Sequence, residues 1–241
     1  MVTDNIHLTG IVLHSQNLER LATFYQGILG ADFKEEKHGN GPVHYSCEYQ
    51  KQGLLEIYPC ETKVLPPSPS IVFRVPSLEA INERMGKNFE RATHLHIKNL
   101  IGCYDSDDRK VYLHEDTTEK EISLEEVILH SQNLEKLKSF YHSLLGLEPL
   151  GRQHRDVKSY IFGYKTRKLK LESSHRTVTP PTPTLLFSSS TLPKIAERMK
   201  AEITESSYLP GGKEISLQDD DGRRIIVYER MPGKSWWQKL F

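Results

Sequence analysis

Ile11, Leu13 and Ser15 alternate with Val12, His14 and Gln16 as the two faces of a strand, and the pattern then changes to helical spacing, with Leu18, Leu21, Phe24, Tyr25, Ile28 and Leu29 on one face of a 3.6-residue repeat. Asn17 stands where a helix cap belongs and Gly30 where a left-handed residue closes the last turn, so the pattern predicts a strand followed by a capped helix. Strands are expected near 43–49 and 53–58, and the cluster Pro66-Pro67-Ser68-Pro69 excludes helix interior after them. The pattern then restarts. Ile71, Phe73 and Val75 alternate as a strand, Ser77 can cap a helix running through Met85, and strands near 93–98, 100–104 and 110–114 follow. Asp105-Ser106-Asp107-Asp108 supplies the turn between the last two.

This whole series occurs twice. His14-Ser15-Gln16-Asn17-Leu18-Glu19 recurs letter for letter as His130-Ser131-Gln132-Asn133-Leu134-Glu135, and Phe24-Tyr25 and Gly30 recur as Phe140-Tyr141 and Gly146, all at an offset of 116. Later landmarks recur at 114: Pro66-Pro67 as Pro180-Pro181, Glu83-Arg84-Met85 as Glu197-Arg198-Met199, and Asp105 as Asp219. Each half is expected to hold two β-α-β-β-β modules, with halves over 1–118 and 119–232 and a short tail over 233–241 that carries both tryptophans. The fold class is α+β, four modules in a row.

Strand, Asn-Leu-Glu, helix with Phe-Tyr, Leu-Gly and an aspartate-rich turn before a final strand, repeated in this order, resemble the vicinal oxygen chelate superfamily over nearly the whole chain. That superfamily includes glyoxalase I, extradiol dioxygenases, fosfomycin-resistance enzymes and bleomycin-resistance proteins. The resemblance implies two tandem domains in which paired modules curve around a cavity holding a divalent metal or a small ligand. It also implies four ligand places per pair, on the first and last strands of each module. Those places carry Gly10, Glu56, Ser70 and Tyr112 in the first half, and Glu126, Lys170 or Glu172, Thr184 and Ile226 in the second. Only Glu56 is a strong ligand in the first set, so a metal centre with the usual donors is not expected at those places.

Other chemistry shares the same faces. Residues two apart on a strand point the same way, so His14 is expected beside Gly10, Arg74 beside Ser70, and His114 beside Tyr112. Seven of the eleven histidines lie in residues 1–114. These residues suggest a rearranged site in the first half, with His14, Glu56 and His114 as catalytic groups and ligands of one divalent ion, Fe, Mn, Ni or Zn. Arg74, Tyr112, His96 and His130 would contact substrate, and an Arg74–Glu56 ion pair is the structural alternative. Two functions are open at this point: a small-molecule enzyme of glyoxalase or dioxygenase type, and a metal-free ligand-binding protein of bleomycin-resistance type.

Composition narrows the partners. Thirty-two basic and 32 acidic residues leave no net field for nucleic acid, and no apolar run approaches the ~20 residues of a membrane span. Three scattered cysteines form no CxxC pair, which suggests a reduced, cytoplasmic protein. The small-molecule ligand is therefore the expected partner. The Trp236-Trp237 tail is expected to pack on the barrel or on a second copy, making a homodimer one expected assembly.

Overall fold

A computed structural model describes residues 6–49, 53–86, 99–163, 167–206, 209 and 211–230, and the backbone of 93–97. The expected module order appears four times. The first module is β1 (Ile6–Ser15), α1 (Leu18–Leu29), β2 (Lys34–Glu36), β3 (His44–Tyr49) and β4 (Gly53–Pro59). The second is β5 (Ser70–Val75), α2 (Leu78–Met85), β6 (Thr93–Ile97), β7 (Leu100–Tyr104) and β8 (Lys110–Glu115). The third is β9 (Ser123–Ser131), α3 (Leu134–Leu145), β10 (Leu150–His154), β11 (Val157–Phe162) and β12 (Lys168–Ser173). The fourth is β13 (Thr184–Ser189), α4 (Leu192–Met199), β14 (Thr204–Glu205), β15 (Lys213–Gln218) and β16 (Arg224–Glu229).

Local chemistry sets the helix ends as the sequence implies. The Asn17 side chain accepts from the Arg20 backbone N–H, and Gly30 closes α1 at φ 64°. Gly146 closes α3 the same way at φ 65°. Leu21, Tyr25 and Ile28 on α1 are fully buried, as are Leu137, Tyr141 and Leu144 on α3. Each such side chain contributes roughly 1.5–3 kcal/mol by leaving water, which is why these short helices hold against the sheets.

The sheets divide the chain differently from the sequence repeat. One eight-stranded sheet runs β14-β15-β16-β13-β1-β4-β3-β2 and the other β10-β11-β12-β9-β5-β8-β7-β6. The first module thus shares a sheet with the fourth, and the second with the third. Antiparallel pairs β1–β13 and β5–β9 join them. Each half is tied instead through its helices and loops. The Tyr25 hydroxyl on α1 donates to Asp105 in the β7–β8 turn, although α1 belongs to the other sheet's module, and Tyr141 does the same with Asp219.

Candidate functional site

The concave face of the first sheet encloses a cavity of about 230 Å³. Val12, Leu54, Leu186, Leu209 and Ile226 form its apolar wall, and His14, His38, Glu56, Tyr58, Thr184 and Arg224 supply its polar lining. The parallel register of β1 and β4 puts Val12 beside Glu56 and His14 beside Tyr58, so His14 and Glu56 face one space as their spacing implied. Burial pushes the Glu56 carboxyl up to about 8, with the nearby Glu36 charge adding to the shift. Burial, followed by the Arg109 charge, pushes His14 below the ordinary histidine value.

Of the usual ligand places facing this cavity, Gly10, Glu56, Thr184 and Ile226, only Glu56 is a strong donor. The first is closed to any side chain, because a Cβ at Gly10 would lie 2.6 Å from the Leu54 carbonyl oxygen and 3.2 Å from Leu186. These residues do not fit the family's metal centre.

A different group of donors sits beside the cavity. Glu36 ends β2, His44 begins β3, and His38 lies on the turn between them. One ligand atom from each lies within 4.8 Å of the others. Glu36 Oε2 is 3.7 Å from His38 Nε2 and 4.0 Å from His44 Nε2. Tetrahedral donors at metal bonds of ~2.1 Å stand roughly 3.4 Å apart, so a small side-chain contraction would close the set on an ion. His44 is completely buried. Its ring stacks on Tyr58 at 4.2 Å and 13°, and its Nδ1 lies 3.4 Å from the Pro42 carbonyl. A proton on Nδ1 toward that carbonyl leaves Nε2 as a lone pair, and burial pushes His44 toward this neutral form. His44 Nε2 and Glu36 Oε1 are both buried without a hydrogen-bond partner among the described residues. A buried imidazole nitrogen left unpartnered 4.0 Å from a carboxylate oxygen is an arrangement that a cation satisfies.

The other expected site residues lie elsewhere. His114, Tyr112 and His130 line a second cavity, of about 430 Å³, on the second sheet. His14, Glu56 and His114 therefore do not form one ligand set: β8 belongs to the sheet of modules two and three, whereas β1 and β4 belong to the other. Arg74 pairs with Glu125 at 3.2 Å, Glu119 at 3.4 Å and Asp116 at 3.8 Å, which replaces the expected Glu56 partner and absorbs its charge in the wall of the second sheet. His114 Nδ1 is 2.8 Å from Glu125. His96 falls on β6, and its side chain lies outside the described residues, as does the tail over 233–241. Glu36 and His38 escaped sequence reading because Lys34-Glu35-Glu36-Lys37-His38 has the composition of a solvated edge; the available signal was two histidines flanking a Gly- and Pro-containing hairpin turn.

This is the fold of the vicinal oxygen chelate superfamily. Glyoxalase I from Zea mays superposes with a TM-score of 0.69 at 16% identity, covering 94% of this chain and 93% of that one. A putative dioxygenase from Bacillus subtilis gives a TM-score of 0.70 at 14% identity, covering 96% and 87%. The cppA protein of Streptococcus pneumoniae gives 0.52 at 15% identity, covering 94% and 100%. No family model matches the sequence, and no curated protein matches it. Among the described residues, no helix is long and apolar enough to cross a membrane.

Proposed function

We propose that the cavity of the first sheet is the reactive site of a small-molecule enzyme of glyoxalase or dioxygenase type, using a divalent ion held at a displaced centre by Glu36, His38 and His44. The single observation that carries this reading is the grouping of Glu36, His38 and His44 beside the cavity, with one ligand atom from each within 4.8 Å of the others and His44 Nε2 buried without a hydrogen-bond partner among the described residues. Two imidazoles and a carboxylate suit Fe(II), Mn, Ni or Zn. Such an ion, when bound, supplies Lewis-acid polarisation of a substrate oxygen. The chain's own residues do the rest. The apolar wall excludes water and seats the carbon skeleton, while Arg224 and Thr184 on the opposite module hold a polar end. Glu56, with its carboxyl near 8, can give or take a proton at neutral pH, and neutral His14 is a second base on the same face. A volume of about 230 Å³ exceeds the ~150 Å³ that accommodates benzene, so the substrate is a compact molecule.

The test is a turnover screen of thiol adducts of small α-oxo aldehydes and of catechols, with metal-loaded and chelated protein. Metal-dependent turnover that Glu56→Gln abolishes, with the melting temperature unchanged within a few degrees, supports the reading. The donor-poor usual places favour one rival, a metal-free binding protein of bleomycin-resistance type. It predicts saturable ligand binding that chelation leaves untouched, with no turnover.

A further inference from the structure

The larger, second cavity lies on the other sheet from the proposed reactive site, and the strand registers allow it to be compared with the first residue by residue. Glu56 pairs with Val12, and Lys170 pairs with Ile128, which is 116 positions beyond Val12. Lys170, not Glu172, therefore stands where Glu56 stands in the first cavity. By the same reasoning Tyr112, beside Val72, replaces Ile226, beside Leu186. Two residues earlier on their strands, Lys168 replaces Leu54 and Lys110 matches Arg224. A carboxylate and two apolar wall positions have thus become two lysines and a tyrosine.

The carboxylates of this cavity are largely engaged. Glu172 meets Lys170 at 2.5 Å and His130 at 3.7 Å. Glu125 meets Arg74 at 3.2 Å, Lys168 at 3.3 Å and His114 at 2.8 Å. Burial pushes the third, Glu126, up toward its neutral form. Lys110, Lys168 and Lys170 set three fixed positive charges in the lining against these three acids, while Arg74, behind the lining, is balanced by Asp116 and Glu119 as well as Glu125. Lys110 is exposed at the cavity and makes no ion pair or hydrogen bond among the described residues. Tyr112 lines the same space, and so does Ser70, whose hydroxyl lies 3.4 Å from His130 Nε2. An ammonium group at the position of a ligand carboxylate repels a divalent ion and attracts an anion.

We propose that the second cavity is a metal-free binding site for a small organic anion, its carboxylate or phosphate group held by Lys110 and Lys170 and hydrogen-bonded by Tyr112 and Ser70. The site is independent of the reaction assigned to the first cavity, and its failure would leave that assignment standing.

The test is calorimetric and thermal-shift titration of the full chain with succinate and with inorganic phosphate, using succinamide as the neutral control and constant ionic strength. Saturable binding of at least one anion, tighter than about 10 mM, is expected, with no response to succinamide. Lys110→Ala, at an exposed position, should weaken binding at least tenfold, and Lys170→Glu should abolish it. His44→Ala, in the other cavity, should leave it unchanged. If Lys170→Glu fails to fold, Lys110→Ala decides alone. Binding that is unsaturable, absent, or indifferent to Lys110→Ala is a general ionic effect and overturns the proposal, as does a divalent ion retained by the second cavity.

Discussion

The Tyr25 hydroxyl donates to Asp105 Oδ2 at 3.0 Å, linking a helix of the first module to a turn of the second although the two modules belong to different sheets. Arg109 completes the link, donating to Asp105 and Asp107 at 3.0 Å each and to the His14 carbonyl. Tyr141, Asp219 and Arg223 repeat this arrangement in the other half. Arg109 is 2% exposed, so removing it strands Asp105 as a buried charge. Arg109→Ala should cost about 3–5 kcal/mol and Tyr25→Phe about 1 kcal/mol, measured by urea unfolding. Because Arg109 also holds the carbonyl of His14, a milder variant that still folds should perturb the first cavity before the second.

Glu56 gives the chain a characteristic pH response. Its folded-state value of about 8 lies above the ordinary carboxylate value of 4.5. Between those limits the folded chain keeps a proton that the unfolded chain has released, so stability falls as pH rises through the window and levels off above it. In chelated protein, Glu56→Gln should make that descending slope shallower by the share Glu56 contributes, as read from urea midpoints between about pH 5 and about pH 9. A wild-type slope unchanged in the variant would assign the response to another group.

Tyr58 positions a donor without being one. Its ring lies 4.2 Å from that of His44 and nearly parallel to it, so it fixes the direction of Nε2. Tyr58→Leu should weaken metal binding by about 10–100-fold, the usual effect of losing a group that orients a ligand. Calorimetric titration with Zn checks this, and an unchanged affinity would mean that the ring is held by its burial alone.

Gly10 is a matter of space. With the Leu54 carbonyl oxygen 2.6 Å from any added Cβ, Gly10→Ala should destabilise by about 1–3 kcal/mol through displacement of β1 from β4. Thermal unfolding measures it, and a neutral effect would show that the strand pair can slide apart.

The module order was legible because strand and helix periodicities, caps and the Pro-Pro connectors repeat at nearly constant offset. The pairing of modules was not. Nothing in β1 or β5 identifies β13 or β9 as its neighbour, since both are nonlocal partners chosen by the fit of whole modules. Sequence spacing therefore placed His14 and Glu56 on one face correctly but also grouped them with Arg74 and His114, which the strand order assigns to the other sheet. Lys170 and Glu172 remained alternatives until the register with β9 separated them. Glu36 and His38 look like solvated polar residues in sequence; their significance depends on the hairpin that folds them back toward buried His44.

The most direct measurement is the metal content of the full chain, purified without chelator, incubated with Fe(II), Mn, Ni or Zn and dialysed. The account predicts about one ion per chain, lost in Glu36→Gln and in His44→Ala and retained in His114→Ala, with all variants folded by circular dichroism. No retained ion, or an ion that survives both Glu36→Gln and His44→Ala, would contradict the displaced metal centre.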